Sequence, residues 1–207
     1  MKQHDVHVFV FDGLADWEVG YALPGINQTE FQIDPGRYRD QTDSLQQQPV
    51  VTAGGLRIEP DLALDRLSPQ ESAMLILPGG MTWATNQNAE AIEVARRFLD
   101  GGVPVAAICG ATLALARGGL LDRLRHTSNT RDYLATSEYG GTLLYEDAPA
   151  VTDGNLITAP GTAPIEFAYH IFRRLNLYRP AVLEAWFGLY KTGKPEFFYA
   201  IMQAINT

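Results

Sequence analysis

The strongest constraint on the fold is a set of short, uninterrupted apolar runs that each end at a glycine-containing turn. These runs are residues 6–11, 73–77 and 103–108. They are followed by segments with helical spacing of apolar residues, at 16–23, 89–99 and 110–116. Strands without polar alternation are buried on both faces, and strands that alternate with helices form parallel sheets. The sequence therefore predicts an α/β fold with a mostly parallel sheet between two layers of helices.

The remaining patterns extend this fold along most of the chain. Three further elements are predicted, a hairpin at 50–58, a pair of short strands at 150–158 and a helix at 164–175. Residues 35–49 are polar and are interpreted as a surface connection, not as a domain linker. The chain from about Ala181 is apolar and is expected to be helical, packing on the core or in a dimer interface, and we expect the protein to form a homodimer. Residues 1–207 thus suit a single-domain α/β/α sandwich of flavodoxin-like type.

The charge balance argues against two kinds of partner. The chain has 16 Lys and Arg against 24 Asp and Glu, a formal net charge of −8 and a pI near 4.9. Sequence-independent nucleic-acid binding and docking on anionic membranes both need a basic face, so neither is expected. No run approaches the roughly 20 apolar residues of a membrane span, and the N-terminus lacks the apolar region of a signal peptide. We therefore expect a cytoplasmic protein.

The number of cysteines and histidines also limits the chemistry. One cysteine permits no intramolecular disulfide, which favours a reducing compartment. The four histidines are scattered, apart from His4 and His7, and do not have the spacing of a zinc site. The sequence contains neither a phosphate-binding loop nor a dinucleotide-binding glycine pattern. We expect neither a metal nor another cofactor.

The single cysteine, Cys109, occupies the most informative segment. Residues 106–112 predict a strand, a sharp turn and a helix, with Cys109 at the corner and Gly110 giving the turn room. Such a nucleophile elbow exposes a side chain at the top of a sheet, and the helix N-terminus favours thiolate over thiol. We therefore expect a lowered thiol pKa and ready oxidation. The alternative is a small buried hydrophobic residue at the end of a strand.

Other residues at strand ends could complete a site around this cysteine. The glycines of residues 78–80 and Gly110 can direct backbone N–H groups towards an oxyanion, although a Pro-Gly-Gly sequence is also an ordinary turn. Glu18 follows the first strand, and a carboxyl group in an apolar site has a raised pKa and can donate a hydrogen bond to sulfur. The alternative for Glu18 is an exposed helical position. Trp17 and Trp83 could line a pocket or pack in the core.

Four blocks in order along the chain carry a resemblance to a known family. The blocks are residues 11–18, 77–80, 107–111 and 156–163, and residues 52–61 match as well. On these blocks the sequence resembles the ThiJ/PfpI superfamily, which has the class I glutamine-amidotransferase-like fold. The resemblance extends over most of the chain to about Leu175, and the tail after Ala181 is not diagnostic.

The resemblance implies a role for each matching residue. Cys109 falls on the reactive cysteine of the superfamily, and Glu18 falls on the acid that hydrogen-bonds its sulfur. Gly79, Gly80 and Gly110 fall on the backbone that binds an oxyanion. These roles describe one site in which a thiol, an acid and anion-binding N–H groups converge.

Two positions leave the composition of that site open. Asp16 lies where the isocyanide hydratases of the superfamily have an aspartate, so either Asp16 or Glu18 could face the thiol, and we favour Glu18. Many members have a histidine twenty residues after the cysteine, where this chain has Asn129. His126 is offset by three positions, which on an extended strand directs it to the other face. A complete Cys-His-acid triad is therefore not expected, and the histidines are expected to be structural.

The resemblance, together with these residues, implies a cysteine-dependent enzyme acting on a small carbon–nitrogen or carbonyl compound, as a hydrolase, hydratase or glyoxalase-like lyase. Cys109 would be the nucleophile, Gly80 and Gly110 would stabilise the developing anion, and Glu18 or Asp16 would shuttle the proton. Hydrolysis of amides, peptides or glutamine is disfavoured because expelling an amine needs a proton donor. The alternative is a non-enzymatic oxidative-stress sensor or stress protein in which oxidation of Cys109 is itself the event.

Overall fold

Parallel strand pairing organises the structure, a computed structural model that describes residues 3–205. The strands are β1 (His4–Phe9), β2 (Tyr38–Ser44), β3 (Val50–Val51), β4 (Arg57–Ile58), β5 (Leu62–Ala63), β6 (Ser72–Leu77), β7 (Val105–Ile108), β8 (Val151–Asp153) and β9 (Leu156–Ala159). Seven of them form one sheet in the order β5-β2-β1-β6-β7-β9-β8, and β3 pairs with β4 separately. Within the large sheet only β8 is antiparallel to its neighbour. The predicted mostly parallel sheet is confirmed.

Two groups of helices enclose this sheet. The α-helices are α1 (Asp16–Val19), α2 (Ala22–Asn27), α3 (Ala89–Asp100), α4 (Gly110–Arg117), α5 (Arg131–Ala135), α6 (Pro164–Leu175), α7 (Pro180–Thr192) and α8 (Pro195–Ile205). Helices α1, α2 and α7 pack on α6, whereas α3 and α5 pack on α4. Both groups contact the central strand β7, α6 in the first group and α3 and α4 in the second. The architecture is therefore the predicted α/β/α sandwich.

The central strands are buried on both faces because they carry continuous apolar sequence. All four residues of Val105–Ile108 are fully buried, and so are the last four residues of β6. Parallel register aligns Leu77 with Ala107, and Ile108 with Ala159. The carboxyl ends of three neighbouring strands therefore lie side by side at one edge of the sheet.

The interpretation of residues 35–49 as a surface connection is wrong, because this segment contains strand β2. The strand pairs with β1 along its length, yet its sequence is polar. Its buried Asp43 lies 2.9 Å from Nδ1 of His7, which is also buried. Burial raises the pKa of Asp43, although the hydrogen bond to His7 lowers it. A buried polar pair stabilises this part of the sheet, so the apolar run that marks the other strands is absent.

The prediction of one helix ending before Pro24 is also wrong. The chain forms α1 and then α2, and α2 contains both Pro24 and Gly25. Pro24 is in the first turn of α2, where a backbone N–H needs no partner within the helix and proline is tolerated. Gly25 permits close packing against α6, since a Cβ atom there would lie 2.1 Å from Cζ of Phe172.

The apolar C-terminal segment forms α7 and α8, which pack on α6 and on α7 respectively. The ring of Trp186 on α7 lies 4.9 Å, centroid to centroid, from Phe172 on α6. Within residues 3–205, the helices all fall short of the length and apolar character that crossing a membrane requires.

We expect Gly25→Ala to lower the free energy of unfolding by about 1–3 kcal/mol, because the added methyl group overlaps the buried Phe172 ring and overpacks the α2–α6 contact. Urea unfolding followed by far-ultraviolet circular dichroism measures the change. Gly20→Ala is the matched control, since Gly20 has φ −62° and its added Cβ would lie 3.6 Å from the nearest atom. Equal stability of the two variants would contradict the packing argument.

Candidate functional site

The site lies at the sheet edge where β1, β6, β7 and β9 end. The loop after β7 contains Cys109, the loop after β6 contains residues 78–80, and the loop after β9 contains Gly161. Helix α1, which carries Glu18, follows β1. The strand ends that precede Glu18, residues 78–80 and Cys109 therefore share one edge of the sheet, and the end of β9 adds Gly161.

Cys109 is the single residue between β7 and α4. Its backbone is in an unusual conformation, with φ 57° and ψ −121°. The Cys109 N–H donates to the carbonyl of Ala159 at 2.9 Å, and its own carbonyl accepts from the N–H of Thr112 at 3.1 Å. A positive φ is strained for a residue with a side chain and persists where the surroundings enforce it. The turn leaves the side chain partly exposed at the sheet edge.

Glu18 is the acid that faces the sulfur. It is 0% exposed, and its Oε2 accepts a hydrogen bond from the N–H of Gly79 at 2.5 Å. Its other oxygen, Oε1, is buried on the side of the Cys109 thiol and has no hydrogen-bond partner among residues 3–205. A Cβ atom added at Gly161 would lie 2.8 Å from Glu18 Oε1 and 2.9 Å from Cys109 Sγ, so these two atoms flank a single point.

The electrostatics of this pair differ from the prediction for the thiol. Burial raises the pKa of Glu18, although the hydrogen bond from Gly79 and the neighbouring Cys109 thiol lower it. Burial, followed by the negative charge of Glu18, raises the pKa of the Cys109 thiol to about 11. The hydrogen bonds from Asn129 and from the N–H of Gly110 act in the opposite direction but are outweighed. The prediction of a lowered thiol pKa is therefore wrong, because burial and the charge of Glu18 outweigh the hydrogen bonds that favour thiolate.

Asn129 lies on the other side of the sulfur. Its Nδ2 is 3.4 Å from Cys109 Sγ, and its Oδ1 accepts the N–H of Gly161 at 2.9 Å. The carbonyl of Gly161 in turn accepts a hydrogen bond from Nε1 of Trp17 at 3.2 Å. Trp17 is 57% exposed. These contacts fix the amide of Asn129 with its N–H directed at the sulfur, in a position where an imidazole would otherwise supply a titratable group.

Asp16 is occupied elsewhere, which decides between the two candidate acids. Its Oδ2 accepts the N–H of Gly54 at 2.7 Å, in the turn between β3 and β4. Burial raises the pKa of Asp16, but hydrogen bonds from Thr52 and Gly54 together bring it below its ordinary value. Asp16 thus holds the β3–β4 turn, and Glu18 contacts Cys109.

The three predicted anion-binding glycines have different surroundings. The N–H of Gly79 is bound to Glu18, so it is not free for a substrate. A Cβ atom added at Gly79 would lie 2.6 Å from both Cys109 Cβ and Glu18 Oε2, so only glycine fits there. Gly80 and Gly110 are in close contact, since a Cβ atom at Gly110 would lie 2.7 Å from the carbonyl oxygen of Gly80. The remaining anion-binding candidates are therefore Gly80 and Gly110.

Trp83 does not line a pocket at the cysteine. It is buried, and its Nε1 donates to the carbonyl of Pro78 at 2.8 Å. Its ring packs edge-on against Phe9 and Phe11. Trp83 therefore supports the 78–80 loop from within the core, and the exposed Trp17 is the tryptophan beside the site.

His126, which lies three residues before Asn129, and His170 on α6 are both hydrogen-bonded to residues away from Cys109. Nδ1 of the buried His126 lies 2.7 Å from the carbonyl oxygen of Leu124, and its Nε2 lies 2.8 Å from the hydroxyl of Tyr139. Burial lowers the pKa of His126. His170 lies 2.7 Å from Oγ1 of Thr152, and burial lowers its pKa to about 4. Both are bonded to residues outside the Cys109 site.

Sequence reasoning assigned no role to two residues of the site. Gly161 follows a strand end, so the same rule that identified Cys109 would have found it. Tyr133 lies on the short helix α5, and its pKa is raised by burial and then by the neighbouring Cys109. No sequence signal marks Tyr133, because α5 comes close to Cys109 only in the folded chain. Within residues 3–205, no three His, Cys, Asp or Glu side chains are grouped to hold a metal ion.

Comparison with known proteins places this site in a family. Residues 4–174 match the DJ-1/PfpI family. The uncharacterized protease YoaZ of Bacillus subtilis is 39% identical over 209 residues, covering 100% of both chains. A deglycase of Thermococcus kodakarensis is 28% identical over 149 residues, covering 72% of this chain and 84% of the relative.

Solved structures agree with this match. A thiJ/pfpI family protein of Bacillus anthracis superimposes with a TM-score of 0.92 at 39% identity, covering 100% of this chain and 99% of the other. A DJ-1 superfamily protein of Agrobacterium tumefaciens superimposes with a TM-score of 0.83 at 30% identity, covering 92% and 99%. The resemblance found in the four sequence blocks is thereby confirmed, and the chain belongs to the DJ-1/PfpI family.

Proposed function

We propose that the protein is a cysteine-dependent, hydrolase-like enzyme that acts on a small carbonyl or carbon–nitrogen compound, with Cys109 as its nucleophile. The observation that carries the proposal is the position of Cys109 Sγ between the Glu18 carboxyl and the Asn129 amide at a partly exposed turn. A nucleophile in contact with a base is the arrangement that thiol addition needs. Relatives named as a protease and as deglycases support hydrolase-like chemistry.

Glu18 acts as the base in the proposed reaction. Its raised pKa makes the carboxylate a better proton acceptor than an exposed glutamate. The thiol proton moves to Glu18 as Sγ forms a bond with the carbonyl carbon, and the carbonyl π electrons move to the oxygen. The N–H groups of Gly80 and Gly110 stabilise this oxyanion. Glu18 then returns the proton to the oxygen, which completes a hemithioacetal or its nitrogen analogue.

The residues beside the sulfur favour small carbonyl compounds over amides. Asn129 donates a hydrogen bond but holds no titratable proton, so Glu18 is the acid–base group beside the thiol. Expelling an amine would require Glu18 both to remove the thiol proton and to protonate the leaving nitrogen. Addition to an aldehyde, nitrile or isonitrile needs only one proton to move between sulfur and the adduct.

The oxidation-sensor alternative is disfavoured by the electrostatics. Oxidation of cysteine proceeds through the thiolate, so redox-sensing cysteines have a low pKa. Burial and the charge of Glu18 raise the pKa of Cys109 to about 11, which keeps the resting thiol protonated. A thiol that loses its proton to Glu18 only when an electrophile is bound suits an enzyme better than a sensor.

The proposal is tested with a panel of small aldehydes, nitriles, isonitriles and amides. We expect turnover of an aldehyde, nitrile or isonitrile, and we expect Cys109→Ser to reduce kcat by at least about a hundredfold because the nucleophile is lost. Turnover unaffected by Cys109→Ser would reject the nucleophile assignment. Absence of turnover, together with rapid peroxide oxidation of Cys109, would favour the sensor.

Glu18→Gln should lower the thiol pKa below its value of about 11, because the substitution removes the carboxylate charge that opposes thiolate formation. It should also reduce kcat/KM by about 10²–10⁴, the typical contribution of a general base. The ultraviolet absorbance of the thiolate across a pH titration measures the first effect. Asp16→Asn is the matched control, since it removes a carboxylate that is bonded to Gly54. A higher thiol pKa in Glu18→Gln would show instead that Glu18 holds its proton and stabilises the thiolate.

Asn129→Ala should move the thiol pKa in the opposite direction, to a value above that of the wild type. The variant loses the N–H that stabilises the thiolate and leaves burial and the Glu18 charge in place. The same absorbance titration measures this shift. Asn155→Ala, at the opposite edge of the sheet in the β8–β9 turn, is the control and should leave the thiol pKa unchanged. A lower thiol pKa in Asn129→Ala would contradict the assigned role.

A further inference from the structure

A polar recess of about 380 Å³ adjoins the Cys109 site. Its lining includes Asn129, Asp147, Thr162, Glu166 and Lys191. Asn129 belongs to both places, because its Nδ2 lies 3.4 Å from Cys109 Sγ while the residue also lines the recess. A substrate bound at the sulfur therefore has this recess next to it.

Glu166 is the buried charged residue in the lining of the recess. It lies in the first turn of α6 and is 7% exposed, yet it carries a carboxyl group. Its Oε1 lies 2.5 Å from Nζ of Lys191 on α7. Its Oε2 is buried and has no hydrogen-bond partner among residues 3–205. A buried carboxylate oxygen without a donor is unfavourable in a native protein, so the charge of Glu166 is compensated by Lys191 at one oxygen and left uncompensated at the other.

The charges around the recess favour a positively charged ligand. Glu166 and Asp147 are acidic, and Lys191 is the basic residue of the lining. The Lys191 side chain is 48% exposed and reaches Glu166 through a flexible aliphatic chain. A second cation can therefore share the Glu166 carboxylate with Lys191. An anion would meet two carboxylates against one ammonium group.

We propose that this recess is a specificity subsite for an ammonium group on the substrate. The inference rests on the proposed role of Cys109 as nucleophile. The substrate class is then a small carbonyl or carbon–nitrogen compound that also carries an amine. The reacting carbon lies at Sγ, and the Glu166 carboxylate attracts the ammonium group in the recess. Glu166 lies within the family match at residues 4–174, whereas Lys191 lies outside it on α7. The preference for an ammonium group therefore depends on residues of both parts of the chain.

Charged thiol reagents test this subsite without a known substrate. Cys109 is the single cysteine, so modification reports on it alone. The probes are methyl methanethiosulfonate and its ethylammonium and ethylsulfonate analogues, which are neutral, cationic and anionic. In each case the thiolate attacks the sulfenyl sulfur, forms a disulfide and releases methanesulfinate. Rates are measured by mass spectrometry at low ionic strength and divided by those of a free small-molecule thiol.

We expect Glu166→Gln to reduce the cation-to-anion rate ratio by about fivefold, because it removes the charge that attracts the ammonium group. Lys191→Met should raise the ratio by about twofold or more, because the carboxylate is then unshared. A general loss of structure would change the rate ratio in the same direction in both variants, whereas the proposal expects a decrease in Glu166→Gln and an increase in Lys191→Met. The Lys191→Met variant also alters a half-exposed side chain, so it tests the proposal even where Glu166→Gln folds poorly.

The matched controls come from an exposed ion pair of the same C-terminal region. Lys194 and Glu196 lie 3.9 Å apart, with side chains 63% and 62% exposed. Lys194→Met and Glu196→Gln change the net charge equally but should alter the ratio by less than about 1.5-fold, because exposed charges are screened. Ratios in the recess variants that equal those of the controls would overturn the subsite while leaving Cys109 a nucleophile. Failure of the neutral reagent to modify Cys109 would instead reject the nucleophile, and the subsite with it.

Discussion

The buried carboxyl group of Glu18 is the interaction on which the rest of the site depends. A carboxyl group with no solvent exposure needs a donor close by, and the N–H of Gly79 supplies one at 2.5 Å. That approach leaves no space for a side chain at residue 79 and none at Gly161, because a Cβ atom at either position would overlap Glu18. The glycines after β6 and β9 are thus required by the acid that they surround.

The same carboxyl group sets the behaviour of the thiol. The strained backbone of Cys109 holds its sulfur against Glu18, where burial and the negative charge both disfavour thiolate. An amide in the position of Asn129 can orient the sulfur but cannot exchange a proton with it. In the proposed reaction, proton transfer at the sulfur therefore depends on Glu18, and this dependence distinguishes the site from one that has a histidine beside the cysteine.

The chain beyond the family core adds charge next to this centre. Helix α7 lies outside residues 4–174, and it packs on α6 through Trp186 and Phe172. That packing brings Lys191 against Glu166, so the ion pair in the recess that Asn129 also lines joins two helices that are separated by a loop in the sequence. The apolar C-terminal segment thus influences the site indirectly, through the position it gives to one lysine.

The sequence by itself determined the central strands of the sheet, their carboxyl edge, and the positions of Cys109 and residues 78–80 at that edge. Uninterrupted apolar runs can be satisfied only in buried strands, and parallel strands bring Cys109 and residues 78–80 together. The polar strand β2 escaped detection because its buried Asp43 is stabilised by His7, a contact that no periodicity reveals.

Only the tertiary structure decided which acid faces the thiol, since Asp16 and Glu18 are two residues apart on α1 and either could point towards it. It also decided the sign of the thiol pKa shift. A helix N-terminus predicts a lowered pKa, but desolvation and a carboxylate in contact with the sulfur are stronger, and both depend on burial and distance. The roles of Asn129 and Glu166 have the same origin, because hydrogen bonds and ion pairs between distant segments exist only once the sheet and helices have packed.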